Sequence, residues 1–180
     1  MDKKVENNIN IAKKKNIVLI GMPGVGKSSV GVVLAKILGY RFVDSDLLIQ
    51  EQEGKLLYEI IDEQGIDGFI EVENRVNASI ECEKCIIATG GSAVYGKEAM
   101  EHLKEIGTVL YLKAEYDDIK GRLGNLHGRG VAMKEGQNLL DLYNERVPLY
   151  EKYADIVVDE TGCNSVSDTI FRIMNELNDR

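Results

Sequence analysis

The chain has 180 residues, 44% of them hydrophobic and 29% charged, which is enough to bury one core and too little for two comfortable domains. No apolar run approaches the roughly 20 residues of a membrane-spanning helix, and the N-terminus lacks the apolar stretch of a secretory signal, so a cytoplasmic protein without a membrane partner is expected. The net charge of −8 excludes general nucleic-acid binding, which needs clustered Lys and Arg; any anion must be held by a local site.

In chain order, residues 1–15, "MDKKVENNINIAKKK", read as a flexible polar extension, with one domain over 16–180. The apolar run over 16–20 predicts a strand. It is followed by Gly21-Met22-Pro23-Gly24-Val25-Gly26-Lys27-Ser28 and a helical pattern over 27–38. This is the pattern G-x-x-x-x-G-K-[ST] between a strand and a helix, the signature of a nucleotide-phosphate cradle. Glycines let several N–H groups converge on the β-phosphate, and the helix N-terminus adds a positive dipole end. Gly21, Gly24, Val25, Gly26, Lys27, Ser28 and Ser29 form the predicted ATP or GTP set. Lys27 would reach the β- and γ-phosphates, and Ser28 would offer its hydroxyl to Mg²⁺.

A second strand over 40–43 runs into Asp44-Ser45-Asp46. Two carboxylates at this spacing point to different places, so one can serve a metal and the other a substrate hydroxyl; Asp46 also stands where a helix N-cap is expected. Helices are predicted over 46–64, broken near Gly54, and over 67–82. Asp62-Glu63-Gln64-Gly65 matches the D-x-x-G of GTP-switch proteins but ends a helix, and no N-K-x-D guanine reader is present; it reads as a helix C-cap. Cys82, Cys85 and Cys163 give an odd count and no disulfide framework, and His102 and His127 lack zinc-ligand spacing. Strands over 85–89, 108–113 and 155–158 and helices over 97–106, 115–123, 137–152 and 165–177 complete an alternating order. Apolar strands without alternation indicate a parallel sheet covered on both faces. The expectation is a three-layer α/β/α fold with its ligand beyond the carboxyl ends of the strands. No heptad or unexplained apolar stripe calls for a second subunit, and a monomer is expected.

The cradle with Asp44-Ser45-Asp46 one βα unit later, Phe69 to Glu73, the Gly90-Gly91 turn, and Arg146-Val147-Pro148-Leu149-Tyr150 make the sequence resemble the shikimate kinase family over residues 16–176. The resemblance implies a nucleoside-monophosphate-kinase-like fold with a central five-stranded parallel sheet and a mobile lid, here 124–137. It also implies transfer of the ATP γ-phosphate, with Mg²⁺, to a ring hydroxyl of shikimate; ATP over GTP rests on the resemblance alone. Carried over by residue, Asp44 would hold Mg²⁺ through water, and Asp46 would bond the acceptor hydroxyl and take its proton. Gly90 and Gly91 would line the substrate cup with backbone N–H groups, Arg146 would meet the substrate carboxylate, and Glu73 matches a family glutamate. Arg129 would be the lid's phosphate-binding arginine and Arg122 the one near adenine. A closing Gly-rich loop with an arginine also suits phosphoryl transfer physically, because it excludes water and offsets charge on the moving group.

The sequence departs from the family at three positions. Ile70 stands where the family has a substrate-carboxylate-binding arginine, a charge-assisted pair whose loss costs on the order of a hundredfold in affinity. Arg75, five positions on, lies roughly 140° around a helix from Ile70 and is not expected to replace it. Ser92 stands where many members have a third glycine, beside the substrate, and Gly130 where the lid usually has proline. Asp46 and Glu73 against Arg146 leave the cup one negative charge in excess, which suits a neutral polyol better than an anionic acid. The expected function is ATP-dependent phosphorylation of a small hydroxylated molecule, shikimate or a related polyol without the carboxylate. The rivals are a gluconate-kinase-like enzyme, which shares the cradle but is disfavoured by R-x-P-x-Y, and a silent nucleotide-binding module. The joint presence of Lys27, Ser28, Asp44, Asp46 and Arg146 argues against the latter.

Overall fold

The computed structural model describes residues 16–123 and 130–178. The expected N-terminal extension and residues 124–129, with Arg129, lie outside them. Five parallel strands form one sheet in the order β2-β3-β1-β4-β5: β1 Asn16–Ile20, β2 Arg41–Asp44, β3 Cys85–Ala88, β4 Gly107–Lys113 and β5 Ile156–Asp159. The central strands are the apolar ones. Every residue of β1 and β3 is buried, as expected for strands with helices on both faces, whereas the edge strand β5 alternates buried and exposed residues.

Asn16, the one polar residue of β1, is buried because the fold uses all its valences. Its Nδ2 donates to the carbonyls of Cys82 (2.9 Å) and Ile106 (3.0 Å), and its Oδ1 accepts from the Cys85 N–H (3.0 Å). This stitches the starts of the three central strands together. Beyond the other end of the sheet, the chain turns from β1 to α1 Lys27–Leu38 and from β3 into a short 3₁₀ turn at Ala93–Tyr95. Because β3 and β4 lie on opposite sides of β1, the order reverses there and opens a crevice at the carboxyl ends.

The other helices are α2 Ser45–Glu53, α3 Leu57–Ala78, α4 Lys97–Ile106, α5 Tyr116–Arg122, α6 Leu139–Tyr153 and α7 Val166–Asn178. The expected break near Gly54 is present, but the expected separation of the helices over 46–64 and 67–82 after Gly65 is not. α2 stops at Gly54 in the left-handed region (φ 65°), and the next helix starts at Leu57 and continues through Gly65, a kink (φ 73°, ψ 178°) instead of an end. It closes at Ala78, four residues earlier than expected, where the Ser79 hydroxyl turns back to the Val76 carbonyl (2.8 Å). Asn138 and Asp141 cap the start of α6 reciprocally.

The main core lies around the sheet. A second, smaller cluster joins Ile49 of α2 to Leu57, Ile60, Phe69, Val72 and Val76 of α3, and includes Ala132 from the segment returning after residue 129. No helix among the described residues is long and apolar enough to cross a membrane.

Candidate active site

The loop after β1, the start of α2, the middle of α3, the Gly90-Gly91 turn and Arg146 of α6 enclose one cavity of about 430 Å³. Gly26 ends the loop at φ 103°, in the left-handed region, where a side chain would be strained. Lys27, 8% exposed, donates its Nζ to the carbonyls of Gly21 (2.8 Å) and Met22 (3.0 Å). Burial pulls its pKa down to about 8 against the opposing charge of Asp46.

Asp44 caps α2: its Oδ1 accepts from the Asp46 N–H (3.0 Å). The N-cap is therefore Asp44, not Asp46 as the sequence suggested, and Asp46, inside the first turn, is left to line the cavity. The other Asp44 oxygen accepts from Ser28 Oγ (2.8 Å), so the two oxygens expected at a metal stand together at the loop's end. Among the described residues no group of three or more His, Cys, Asp or Glu is placed to hold a metal by itself. Paired hard oxygens without a protein cage fit Mg²⁺ taken up with a nucleotide, since that ion keeps most of its shell as phosphate oxygens and water. Burial, then the like charge of Asp44, raises the Asp46 carboxyl to about 6, with Lys27 opposing.

The acceptor side is built around Gly90 and Gly91. The Cβ that Gly90 lacks would collide with Glu73 Oε1 and Asp46 Oδ1, and that of Gly91 with Pro23 and Arg146 Nη1. Glycine at both positions lets the turn pass between the two carboxylates and the guanidinium. The Gly90 N–H is already taken by Ser45 Oγ (3.3 Å), so of the two amides expected to line the cup this one is committed to the fold. Ser92 is buried at the cavity wall.

Arg146 is 1% exposed; its Nε donates to Tyr95 Oη (3.2 Å) and its Nη2 to the Ala132 carbonyl (2.5 Å). Tyr95, whose ring also lies under the guanidinium at 5.2 Å, donates its own hydroxyl hydrogen bond to Glu145 Oε1 (2.6 Å). Tyr150 donates to the Gly91 carbonyl (2.6 Å) and stacks on Tyr111. Arg146 and Tyr150 thus share one face of α6, one turn apart. The positioning roles of Tyr95 and Tyr150 were not drawn from the sequence. R-x-P-x-Y marks Tyr150, but nothing local marks Tyr95.

Ile70 does not line this cavity. It borders an adjoining one of about 210 Å³ together with Tyr95, Lys134 and Glu145, and the two cavities share Ala132. Arg75 points away from both and pairs with Glu53 (2.5 Å). Gly130 sits at φ 65°, against Leu57, a backbone that proline, fixed near φ −65°, cannot adopt. Arg122 lies on the other side of the loop in a third cavity of about 240 Å³, with its Nη1 3.4 Å from the Val25 carbonyl and 3.5 Å from buried Glu160; Ser29 lines both this cavity and the main one.

Glu73 is the electrostatic exception. Both its oxygens are buried without a hydrogen-bond partner. Burial lifts its carboxyl to about 7; the nearby Ser92 hydroxyl opposes the rise without completing a bond, Asp46 adds to it, and Arg146 and Lys27 pull it down. A carboxyl held near 7 when folded and near 4.5 when unfolded binds its proton more tightly in the folded chain. Its contribution to stability is therefore whole below about 4.5 and lost as pH rises to about 7. Glu73→Gln, neutral throughout, should match the wild type in urea unfolding at pH 4.5 and exceed it by on the order of 2–3 kcal/mol at pH 8. An equal difference at both pH values would contradict this.

The shikimate kinase family model matches residues 23–177. The chain belongs to the shikimate kinase family. It is 34% identical over 173 residues to the shikimate kinase of Histophilus somni, spanning 93% of this chain and 99% of that protein. The structure of shikimate kinase from Acinetobacter baumannii in complex with shikimate superposes with a TM-score of 0.80 at 32% identity, over 91% of this chain and 92% of that one. A gluconokinase from Sinorhizobium meliloti shares the fold alone, at TM-score 0.53 and 21% identity over 92% and 93% of the two chains. As a shikimate kinase family member the protein is an ATP-dependent phosphotransferase with an alcohol acceptor. The five-stranded parallel sheet expected from the sequence is present, and the silent-module reading is set aside.

Proposed function

We propose that this enzyme transfers the γ-phosphate of Mg²⁺-ATP to a hydroxyl of shikimate. One observation carries the reading: a phosphate loop, two acidic groups and a buried arginine face a single cavity, in a chain that aligns over most of its length with a shikimate-bound kinase. Ser28 and Asp44 would hold Mg²⁺, which when bound supplies charge neutralisation on the β- and γ-phosphates. Lys27 exchanges the carbonyls of Gly21 and Met22 for phosphate oxygens. Asp46, near pKa 6, accepts the proton of the attacking hydroxyl at neutral pH. Arg146 is pinned through Nε and Nη2, leaving Nη1, beside Gly91, for the substrate carboxylate. Arg129 is the proposed lid arginine, and Arg122 with the third cavity the proposed base site. Radiolabelled γ-phosphate appearing on shikimate, dependent on added Mg²⁺, is the expected result; label transferred to gluconate and not to shikimate would overturn the reading.

A neutral polyol is the second reading, favoured by the apolar Ile70 beside the cup, where the family carries a carboxylate-binding arginine. Ile70→Arg separates the two. Positions 70 and 73 are neighbours on α3, so the new guanidinium meets the unpaired Glu73 and extends toward the cup past Ala132. KM for shikimate should fall by about tenfold or more with kcat little changed. An unchanged KM would show that position 70 does not reach the acceptor.

A further inference from the structure

Both anchors of the buried Arg146 lead to one stretch of chain. Nη2 donates directly to the Ala132 carbonyl, and Nε donates to Tyr95 Oη, whose own proton is directed at Glu145 Oε1 (2.6 Å). Glu145 is held in turn from the stretch that carries Ala132. Gln137 Nε2 donates to its Oε2 (2.9 Å), and Lys134 Nζ stands 3.7 Å from its Oε1. The Lys134 N–H occupies Gln137 Oε1 (3.1 Å), so the Gln137 amide has only its NH₂ to offer the carboxylate.

Glu145 reaches this place because α6 buries the stripe Leu142, Arg146 and Tyr150, which leaves the residue before Arg146 half-buried at its flank. The Tyr95 hydrogen bond pulls the Glu145 carboxyl below its ordinary value, so at neutral pH it is ionised and only accepts. That sets the direction of the whole chain of bonds. Tyr95 has one proton, and spending it on Glu145 leaves the phenolic lone pairs for Arg146 Nε–H and joins a buried cation to a carboxylate. A guanidinium is rigid and planar, so fixing Nε and Nη2 fixes where Nη1 points.

We propose that Glu145 is a positioning residue for the acceptor: through Tyr95 it aims Arg146 Nη1 at the acceptor's anionic group, and it ties that aim to Lys134 and Gln137 of the segment following residue 129. The inference rests on the shikimate reading above and deepens it. Glu145 touches no reacting atom, so its loss weakens acceptor binding and spares nucleotide binding and the chemical step.

Steady-state kinetics with shikimate and Mg²⁺-ATP are measured for the wild type, Tyr95→Phe, Glu145→Gln, Glu145→Ala and the double variant Tyr95→Phe/Glu145→Ala. Glu145→Ala and Tyr95→Phe should each raise KM for shikimate by about ten- to a hundredfold, with kcat within about threefold and KM for Mg²⁺-ATP unchanged. The double variant should exceed the larger single effect by no more than about threefold, because the two groups act on Arg146 in series. Glu145→Gln keeps an oxygen for the Tyr95 hydroxyl and should recover most of the loss. An unchanged shikimate KM in Glu145→Ala, additive effects in the double variant, or kcat and both KM values worsening together would make Glu145 merely structural and overturn the proposal. If the wild type does not phosphorylate shikimate, the substrate reading fails by itself, and the Arg146 Nε–H then decides this inference. Its NMR signal, assigned by its loss in Arg146→Lys, should exchange with solvent at least about tenfold faster in Glu145→Ala than in the wild type; equal exchange overturns the proposal.

Discussion

Asp46→Asn should lower kcat by about 10²- to 10⁴-fold, the usual contribution of a positioned general base, while Mg²⁺-ADP affinity is unchanged. The separation of effects follows from the geometry. The Asp46 carboxylate caps nothing, because Asp44 performs that task through Oδ1, so its loss spares both the helix and the Ser28–Asp44 contact. The amide is isosteric but cannot take a proton near neutral pH. In the wild type, kcat/KM should fall as pH drops through about 6, because the raised Asp46 carboxyl then becomes protonated and ceases to be a base. That acid limb should be missing from the residual activity of the variant. Stopped-flow or coupled ADP assays over pH 5–9 check both statements. A kcat within tenfold of wild type would remove Asp46 from the chemistry.

Lys27→Ala should cost about 10³-fold or more in kcat/KM and, unlike Asp46→Asn, weaken nucleotide binding as well. The ammonium is buried, and its two hydrogen-bond partners are carbonyls of its own loop. Phosphate oxygens are far stronger acceptors for a charged donor, and a cation on the moving phosphoryl group is worth orders of magnitude in phosphoryl transfer. Because burial holds this lysine near 8, free wild-type enzyme should also lose kcat/KM as pH rises past about 8 and the charge is lost. Bound phosphates favour the charged form and should move that limb upward in kcat. Calorimetric titration with Mg²⁺-ATP analogues and the pH profiles test this. Undiminished nucleotide affinity in Lys27→Ala would contradict it.

Much of the architecture is legible from local pattern. Asn16–Ile20 and Cys85–Ala88 announce buried parallel strands because neither alternates, and the loop at 21–28 announces itself because only a few residue types permit that backbone. Reading failed where the pattern is locally ambiguous. Gly65 at the end of Asp62-Glu63-Gln64-Gly65 reads as a helix C-cap although α3 passes through it as a kink, and either of two aspartates two residues apart can cap a helix. It was also silent wherever a role depends on distant partners. Tyr95 orients Arg146 from 51 positions away, Tyr150 holds the Gly91 carbonyl across 59, and the Gly90 amide is spent on Ser45 across 45. The absence of a partner for Glu73 is likewise a property of the folded neighbourhood; the sequence signals it only through Ile70, one turn away.

The central claim is that a nucleotide triphosphate on the 21–28 loop and an acceptor alcohol meet across Asp46. A crystal structure with Mg²⁺, a non-hydrolysable ATP analogue and shikimate tests it most directly. The account predicts one shikimate hydroxyl within about 3 Å of an Asp46 oxygen and in line with the γ-phosphorus, and the carboxylate at Arg146 Nη1. An acceptor seated with no hydroxyl on Asp46, or a triphosphate held away from Lys27, would contradict it.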